Sequence, residues 1–310
     1  MVVIEMKVLV TGALGFVGKR LVKSLVANNH QVFPTDINTF DVANEKYCRG
    51  YFLDTQNAKL IEDVIHRFQP DIVFHLAARV SGPPSVKYPW AYFQTNVNGT
   101  YNLVEAMRKT DIKYLVHVSS ASVYGSDIHD IVITETTRTK PSNPMGWSKL
   151  AGELAVKCYA EEYGIKTTIY RPVVIYGAEQ TEKNVIQQIV DSMISHEDFW
   201  IYGKGTHTRQ PMEVSDIINA MYKGMDYVMN KQKDPWKIFC IAGQEPLSIV
   251  EMAEIGRKIS PFTIKFKDVK RWAFNQVVDT SYTEKILGWK NKLIFEEGLK
   301  KCLNYRLGLN

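Results

Sequence analysis

A chain of 310 residues is long enough for one large α/β domain, or for a large domain with a smaller lobe. Its composition, 45% hydrophobic and 23% charged, is that of an ordinary globular protein, and a formal charge of +5 is too small to point to nucleic acid. Cys48, Cys158, Cys240 and Cys302 stand far apart, with no C-x-x-C pair, and the seven histidines have no H-x-x-x-H spacing. A disulfide framework, structural zinc and metal catalysis are therefore not expected.

The apolar start, Met1–Val10, is broken by Glu5 and Lys7 and runs into glycines, as a first strand does and a signal peptide does not. No stretch approaches the roughly 18 apolar residues of a membrane span. We expect a cytoplasmic protein with no membrane or nucleic-acid partner. Short apolar runs predict strands over Lys7–Thr11, Gln31–Thr35, Asp71–Leu76, Lys113–Ser119 and Lys166–Arg171. Between them, three- and four-residue apolar spacing predicts helices over Phe16–Ala27, Ala58–Arg67, Tyr92–Arg108 and Ser148–Tyr163. Such alternation means βαβ units, hence a Rossmann-type doubly wound parallel sheet covered on both faces. Beyond Arg171 the pattern loosens to a helix near Val185–Ile194, a loop Tyr202–Pro211, a short helix near Ser215–Tyr227, a strand Lys237–Ala242 and two further helical stretches. This predicts a cofactor domain over 1–170. Residues 171–310 then form mainly a smaller carboxy-terminal substrate lobe, with segments returning to the first domain.

The run Val8–Gly18 places a strand, Gly12, Gly15, Gly18 and a helix in dinucleotide-binding order. Gly12 permits the tight turn, Gly15 lets the backbone approach a pyrophosphate, and Gly18 lets helix and strand pack closely. Asp36 closes the second strand, where a carboxylate accepts hydrogen bonds from the adenosine ribose and repels a 2′-phosphate, which favours NAD over NADP. Lys19 and Arg20 read as exposed first-turn residues, with service to a 2′-phosphate as the alternative.

With these features the chain resembles the extended short-chain dehydrogenase/reductases, the NAD-dependent nucleotide-sugar epimerase/dehydratase family, and in particular its UDP-glucose 4-epimerase-like members. The likeness runs over nearly the whole chain. It implies a cofactor site of Gly12, Leu14, Gly15, Phe16, Val17 and Asp36. Asp54 would lie at the adenine and Leu76, Ala77 and Ala78 under the cofactor, joined by Asn96, Ser119 and Lys149. Ser120, in Val118–Gly125, matches the catalytic serine that bonds the sugar oxygen destined to become a carbonyl. Sugar 4,6-dehydratases carry an acidic pair directly after it; here Ala121 and Ser122 stand there, without a carboxylate to protonate a leaving hydroxyl. In the segment Pro144–Glu153, Gly146, Ser148 and Lys149 fall on the family's Tyr-x-x-x-Lys pattern, but Met145 occupies the tyrosine position.

That substitution changes the chemistry. A phenol drawn toward neutrality by a lysine serves as a general base, whereas a thioether has no proton to exchange. Three readings remain open. Met145 inactivates the chain while leaving binding intact, or another group such as Tyr124 or a Ser120-held water takes the proton, or the reaction depends less on a protein base.

On the substrate side Val174 falls where the family has a sugar-facing asparagine. Asn184 and Val185 match the diphosphate-holding segment, and Tyr202 and Arg209 the nucleotide-binding loop, Arg209 gripping phosphate. Arg271 is a second phosphate arginine or a surface residue, and Arg79 a loop cation near the sugar or an exposed one. The resemblance implies an NAD-dependent enzyme acting on a nucleoside-diphosphate sugar, foremost by 4-epimerisation through a keto-sugar intermediate, and a homodimer. The alternatives are a dehydratase or oxidoreductase of the same family, or a silent NAD- and nucleotide-sugar-binding protein.

Overall fold

A computed structural model describes residues 5–38, 50–126, 131–268 and 275–309. Its centre is a seven-stranded sheet of β1 (Lys7–Thr11), β2 (Gln31–Asp36), β3 (Tyr51–Phe52), β4 (Ile72–His75), β5 (Tyr114–Val118), β6 (Lys166–Pro172) and β7 (Trp236–Ile241). The spatial order is β3-β2-β1-β4-β5-β6-β7 and every pairing is parallel. This is the doubly wound Rossmann-type sheet that the strand–helix alternation implies. Parallel strands must be crossed over by helices, and the crossovers bury both faces.

One face packs against α1 (Phe16–Ala27) and, from much later in the chain, α6 (Val214–Asn230), with Val8, Val10, Phe74, Tyr170 and Met221 in the core. The other packs against α2 (Ala58–Phe68), α3 (Gly99–Arg108) and α4 (Pro144–Tyr163), around Leu9, Val73, Leu103, Leu115 and Ile169. A separate core around Ile186, Ile189, Phe199, Met252 and Leu299 joins α5 (Val185–Ser195), α7 (Ile249–Ile259) and α8 (Phe295–Arg306). Strand β7 and helix α6 thus return from beyond residue 171 to the main sheet.

Several elements differ from expectation. Helix α4 begins at Pro144 instead of Ser148, because the Asn143 side chain accepts the Gly146 N–H and Pro144 takes the first turn. The helix expected over Tyr92–Arg108 starts earlier, at Pro89, and carries a π-helical segment over Gln94–Asn98. The helix near Ser215–Tyr227 is not short but spans 17 residues. Among the described residues three helices follow it rather than two, the additional one being Ser281–Leu287.

Candidate active site

The carboxyl ends of β1, β2, β4 and β5 converge where the strand order reverses, between β1 and β4, the place where parallel sheets open a crevice. Gly12 has φ of +69°, and a Cβ there would lie 2.6 Å from the Ala77 nitrogen. The turn and the segment Leu76–Ala77 therefore touch backbone to backbone. A Cβ on Gly18 would stand 2.1 Å from the Gly12 carbonyl oxygen, so α1 packs onto the turn as closely as glycine allows. Gly15 differs: beyond the Gly12 oxygen at 3.2 Å its Cβ direction is open. It is the N-cap of α1 without a side-chain cap, so no capping side chain takes the first-turn amides of α1.

Asp36 stands beside this cradle and one carboxylate oxygen accepts the Leu14 N–H at 3.0 Å, the other the Asn38 N–H at 3.1 Å. Asp54, half-buried after β3, accepts the Gln56 N–H at 2.9 Å. The arrangement fits a dinucleotide: a backbone cradle with uncapped amides for the pyrophosphate and a carboxylate at the end of β2 for a ribose. Arg20 is not the exposed residue expected. It is half-buried, donates to the Ala178 carbonyl and lies 3.8 Å from the Glu179 carboxylate, so it ties α1 to the loop beyond β6.

Beneath the cradle runs a buried polar chain. The Thr100 hydroxyl donates to the Asn96 carbonyl at 2.7 Å, so it must accept from Nε2–H of His75 at 3.0 Å. The His75 Nδ1 then accepts from the Thr11 hydroxyl at 2.8 Å. This order requires a neutral imidazole, and burial, reinforced by the Lys149 charge, brings the His75 pKa down to about 3. Asn96, on the π-helical segment, clamps the Arg79 backbone: its Oδ1 accepts the Arg79 N–H at 2.7 Å, and its Nδ2 lies 3.0 Å from the Arg79 carbonyl and 2.9 Å from the Ser148 Oγ. Asn96 thus supports both the strand-end loop and the start of α4.

Ser120 follows β5 and caps a single 3₁₀ turn, Ala121–Tyr124, its Oγ accepting the Ser122 N–H at 3.1 Å. This use of a lone pair leaves its O–H free to donate into the site. Ser119 turns inward and is buried. Lys149 is only 5% exposed, and its Nζ donates to the Val118 carbonyl at 2.8 Å. Burial lowers its pKa to about 8 despite the opposing pull of Glu153. Met145 is half-buried one helical turn before Lys149, on the same face. Tyr124 does not serve as a stand-in for a missing phenol. It is 1% exposed, donates to the Thr134 carbonyl and accepts from Arg171, and burial pushes its pKa well above the ordinary phenol value.

A family model described as the NAD dependent epimerase/dehydratase family matches residues 8–238. The chain belongs to that family. A UDP-glucose 4-epimerase of Lactobacillus helveticus is 30% identical over 308 residues, covering 93% of this chain and 92% of its own length. A human dTDP-D-glucose 4,6-dehydratase is 27% identical over 96% of this chain and 89% of its own. The crystal structure of the Thermotoga maritima UDP-glucose 4-epimerase with UDP-glucose superposes with a TM-score of 0.88, at 27% identity, covering 98% of this chain and 100% of that one. The protein is accordingly an enzyme of the NAD-dependent epimerase/dehydratase family, with NAD as its cofactor.

Of the family's substrate-side positions, Val174 and Val185 pack against the separate core of α5, α7 and α8. Val174 is half-buried against that core, an apolar lining where a carboxamide was the family pattern. Asn184 has a task the sequence reading missed: its Oδ1 caps α5, accepting the Ile186 and Gln187 N–H groups at 2.9 and 3.0 Å, next to a half-buried Val185. Tyr202 ends the strand Phe199–Tyr202 and is exposed. Arg209 lies in a two-residue strand pairing with Leu247–Ser248, and donates to the Thr208 carbonyl at 2.8 Å. Burial lowers its pKa. Arg79 is exposed, while Arg271 lies outside the described residues. Among the described residues no three acidic, histidine or cysteine side chains form a metal-binding group, and no helix is long and apolar enough to cross a membrane.

Proposed function

We propose that the chain is a nucleotide-sugar epimerase acting at C4 of the sugar through a keto-sugar intermediate. One observation carries this reading: Ser120 and Lys149 are anchored together at the carboxyl end of β5, beside the cofactor cradle, with no carboxylate on the turn between Ser120 and Tyr124. Ala121 is buried and Ser122 has no acidic group, which disfavours a 4,6-dehydratase. NAD, when bound, supplies the redox partner for transient oxidation of the sugar carbon.

The residues of this chain then divide the work. Gly12, Leu14, Gly15, Phe16 and Val17 hold the pyrophosphate, Asp36 the ribose and Asp54 the adenine. Leu76, Ala77, Ala78, Asn96 and Ser119 form the floor. Lys149 fixes the nicotinamide ribose with its remaining ammonium donors, and Ser120 donates to the C4 oxygen. Residues 171–310 hold the substrate, Asn184, Val185 and Arg209 at the diphosphate, Tyr202 at the base and Val174 toward the sugar. Met145 favours a second reading, a protein that binds NAD and a nucleotide sugar without turning the sugar over. Incubation with NAD and UDP-, GDP- and dTDP-sugars, followed by NMR of the products, separates the two. A C4 epimer supports the first reading; sugar binding without conversion supports the second; neither binding nor conversion overturns the substrate class.

A homodimer is part of the proposal. Trp90 (72% exposed), Phe93 and Tyr101 lie on the Pro89–Arg108 helical stretch, and Trp147 and Leu154, seven residues apart on α4, are 51% and 58% exposed. Those two helical stretches pack side by side, so their apolar residues can form one patch. Light scattering is expected to give twice the chain mass, and Trp147→Glu with Leu154→Glu to give the monomer. A monomeric starting protein rejects the dimer.

A further inference from the structure

A buried ion pair behind the site has no part in the roles above. The Glu153 carboxylate, 0% exposed, takes two parallel hydrogen bonds from Arg171, Nε to Oε1 at 2.9 Å and Nη2 to Oε2 at 2.6 Å. The third arm of the guanidinium, Nη1, donates to the Tyr124 hydroxyl at 2.9 Å, and the group also lies 5.0 Å from the Tyr124 ring centroid. Tyr124 in turn donates to the Thr134 carbonyl at 2.8 Å.

We propose that Glu153 and Arg171 are positioning residues that hold Ser120 and Lys149 in fixed relation to each other. This rests on the proposed roles of those two residues. Glu153 lies one helical turn beyond Lys149 on α4, and Tyr124 ends the single turn that Ser120 begins. Arg171, from β6, grips both. The Lys149 ammonium closes the circuit by donating to the Val118 carbonyl, two residues before Ser120. Every link is a short polar contact, so α4 cannot slide on the sheet without breaking one.

Stability alone gives a weak reason for such a pair. Desolvation of two charges offsets much of their attraction, and well-packed apolar replacements of buried pairs are often as stable. A planar guanidinium that serves two elements at once is a geometric device. The carboxylate has a second effect, because it is the charge that favours protonated Lys149. The other groups facing Lys149 are His75 from β4 and His117 from β5, both kept neutral by burial, while Lys157 on α4 lies 3.9 Å from the Glu153 carboxylate.

The test uses the full chain with Glu153→Leu plus Arg171→Met, and separately Arg171→Lys. NAD binding is titrated by fluorescence from pH 6 to 10, and turnover is measured on whichever sugar nucleotide the wild type converts. In the double variant the pH above which NAD binding weakens is expected to fall by about one unit, since the supporting carboxylate is gone. Arg171→Lys keeps the charge but cannot reach Glu153 and Tyr124 together. Its pH limb is expected to stay, while kcat falls about tenfold at nearly constant KM and hydrogen exchange at the Ser122 amide rises by a similar factor. A folded double variant with an unshifted limb overturns the proposal. If the double variant does not fold, Arg171→Lys decides, and unchanged amide exchange overturns it. Failure of the wild type to convert any sugar nucleotide counts against the epimerase reading alone, because the NAD titration and the amide exchange need no sugar.

Discussion

Replacing Met145 by tyrosine is expected to raise turnover by about 10²–10⁴-fold, the usual contribution of a positioned general acid–base group. The position is suited to it. Met145 occupies the first turn of α4, held by the Asn143 cap, on the same face as the Lys149 ammonium. A phenol there would feel that charge, which favours its ionised form, and would bring an exchangeable proton to the edge of the crevice. The thioether brings none. Tyr124 cannot compensate, since its hydroxyl is committed to Thr134 and Arg171. The remaining candidate is a water at the Ser120 hydroxyl, which would give slow turnover in the wild type and a steep dependence on pH. The measurement is conversion of a nucleotide sugar by wild type and Met145→Tyr under equal NAD saturation. A tyrosine variant that binds NAD normally and is no faster than wild type would show that Met145 does not stand in the base's place.

The parts of this site that the sequence made legible are those whose signal is local. The Gly12–Gly18 turn, Asp36 and the alternation of strands and helices follow from backbone freedom and hydrophobic period within short windows, and the structure returns them almost residue for residue. The start of α4 was legible too, in Asn143 followed by Pro144, but apolar periodicity alone places it four residues late. What was hidden depends on register between distant segments. Glu153 and Arg171 meet only because α4 packs across β6, and Arg20 reaches Ala178 across 158 residues. Asn184, read as a diphosphate-holding residue, also engages its side-chain Oδ1 at the start of α5, a local role that Asn before an apolar helix announces. Beyond residue 171 the pattern loosened because the additional strands are mostly two residues long and pair with remote partners, too short to carry a period.

Lys149 carries the second large effect, and it should be visible without any sugar. Burial lowers its pKa to about 8 from 10.5, so the native state disfavours the charged form that the unfolded chain retains. Between these two values the unfolded state binds more protons than the native one, and stability due to this group rises with pH. Below pH 8 the full penalty is present, and above pH 10.5 it is gone. Lys149→Met has no such group. The unfolding free energy of wild type relative to the variant is therefore expected to grow by about 3 kcal/mol as pH rises through this window. The constant part of the difference includes loss of the Val118 hydrogen bond and does not disturb the slope. NAD affinity should move the other way. The wild type loses affinity as pH rises through about 8 and the ammonium is neutralised, whereas Lys149→Met binds NAD about ten- to a hundredfold more weakly at pH 7, with no limb there. Urea melts at several pH values, paired with NAD titrations, read both effects. A stability difference that stays flat from pH 7 to 10.5 would mean that Lys149 is not desolvated as its burial implies. An NAD limb that survives in Lys149→Met would assign the titration to another group.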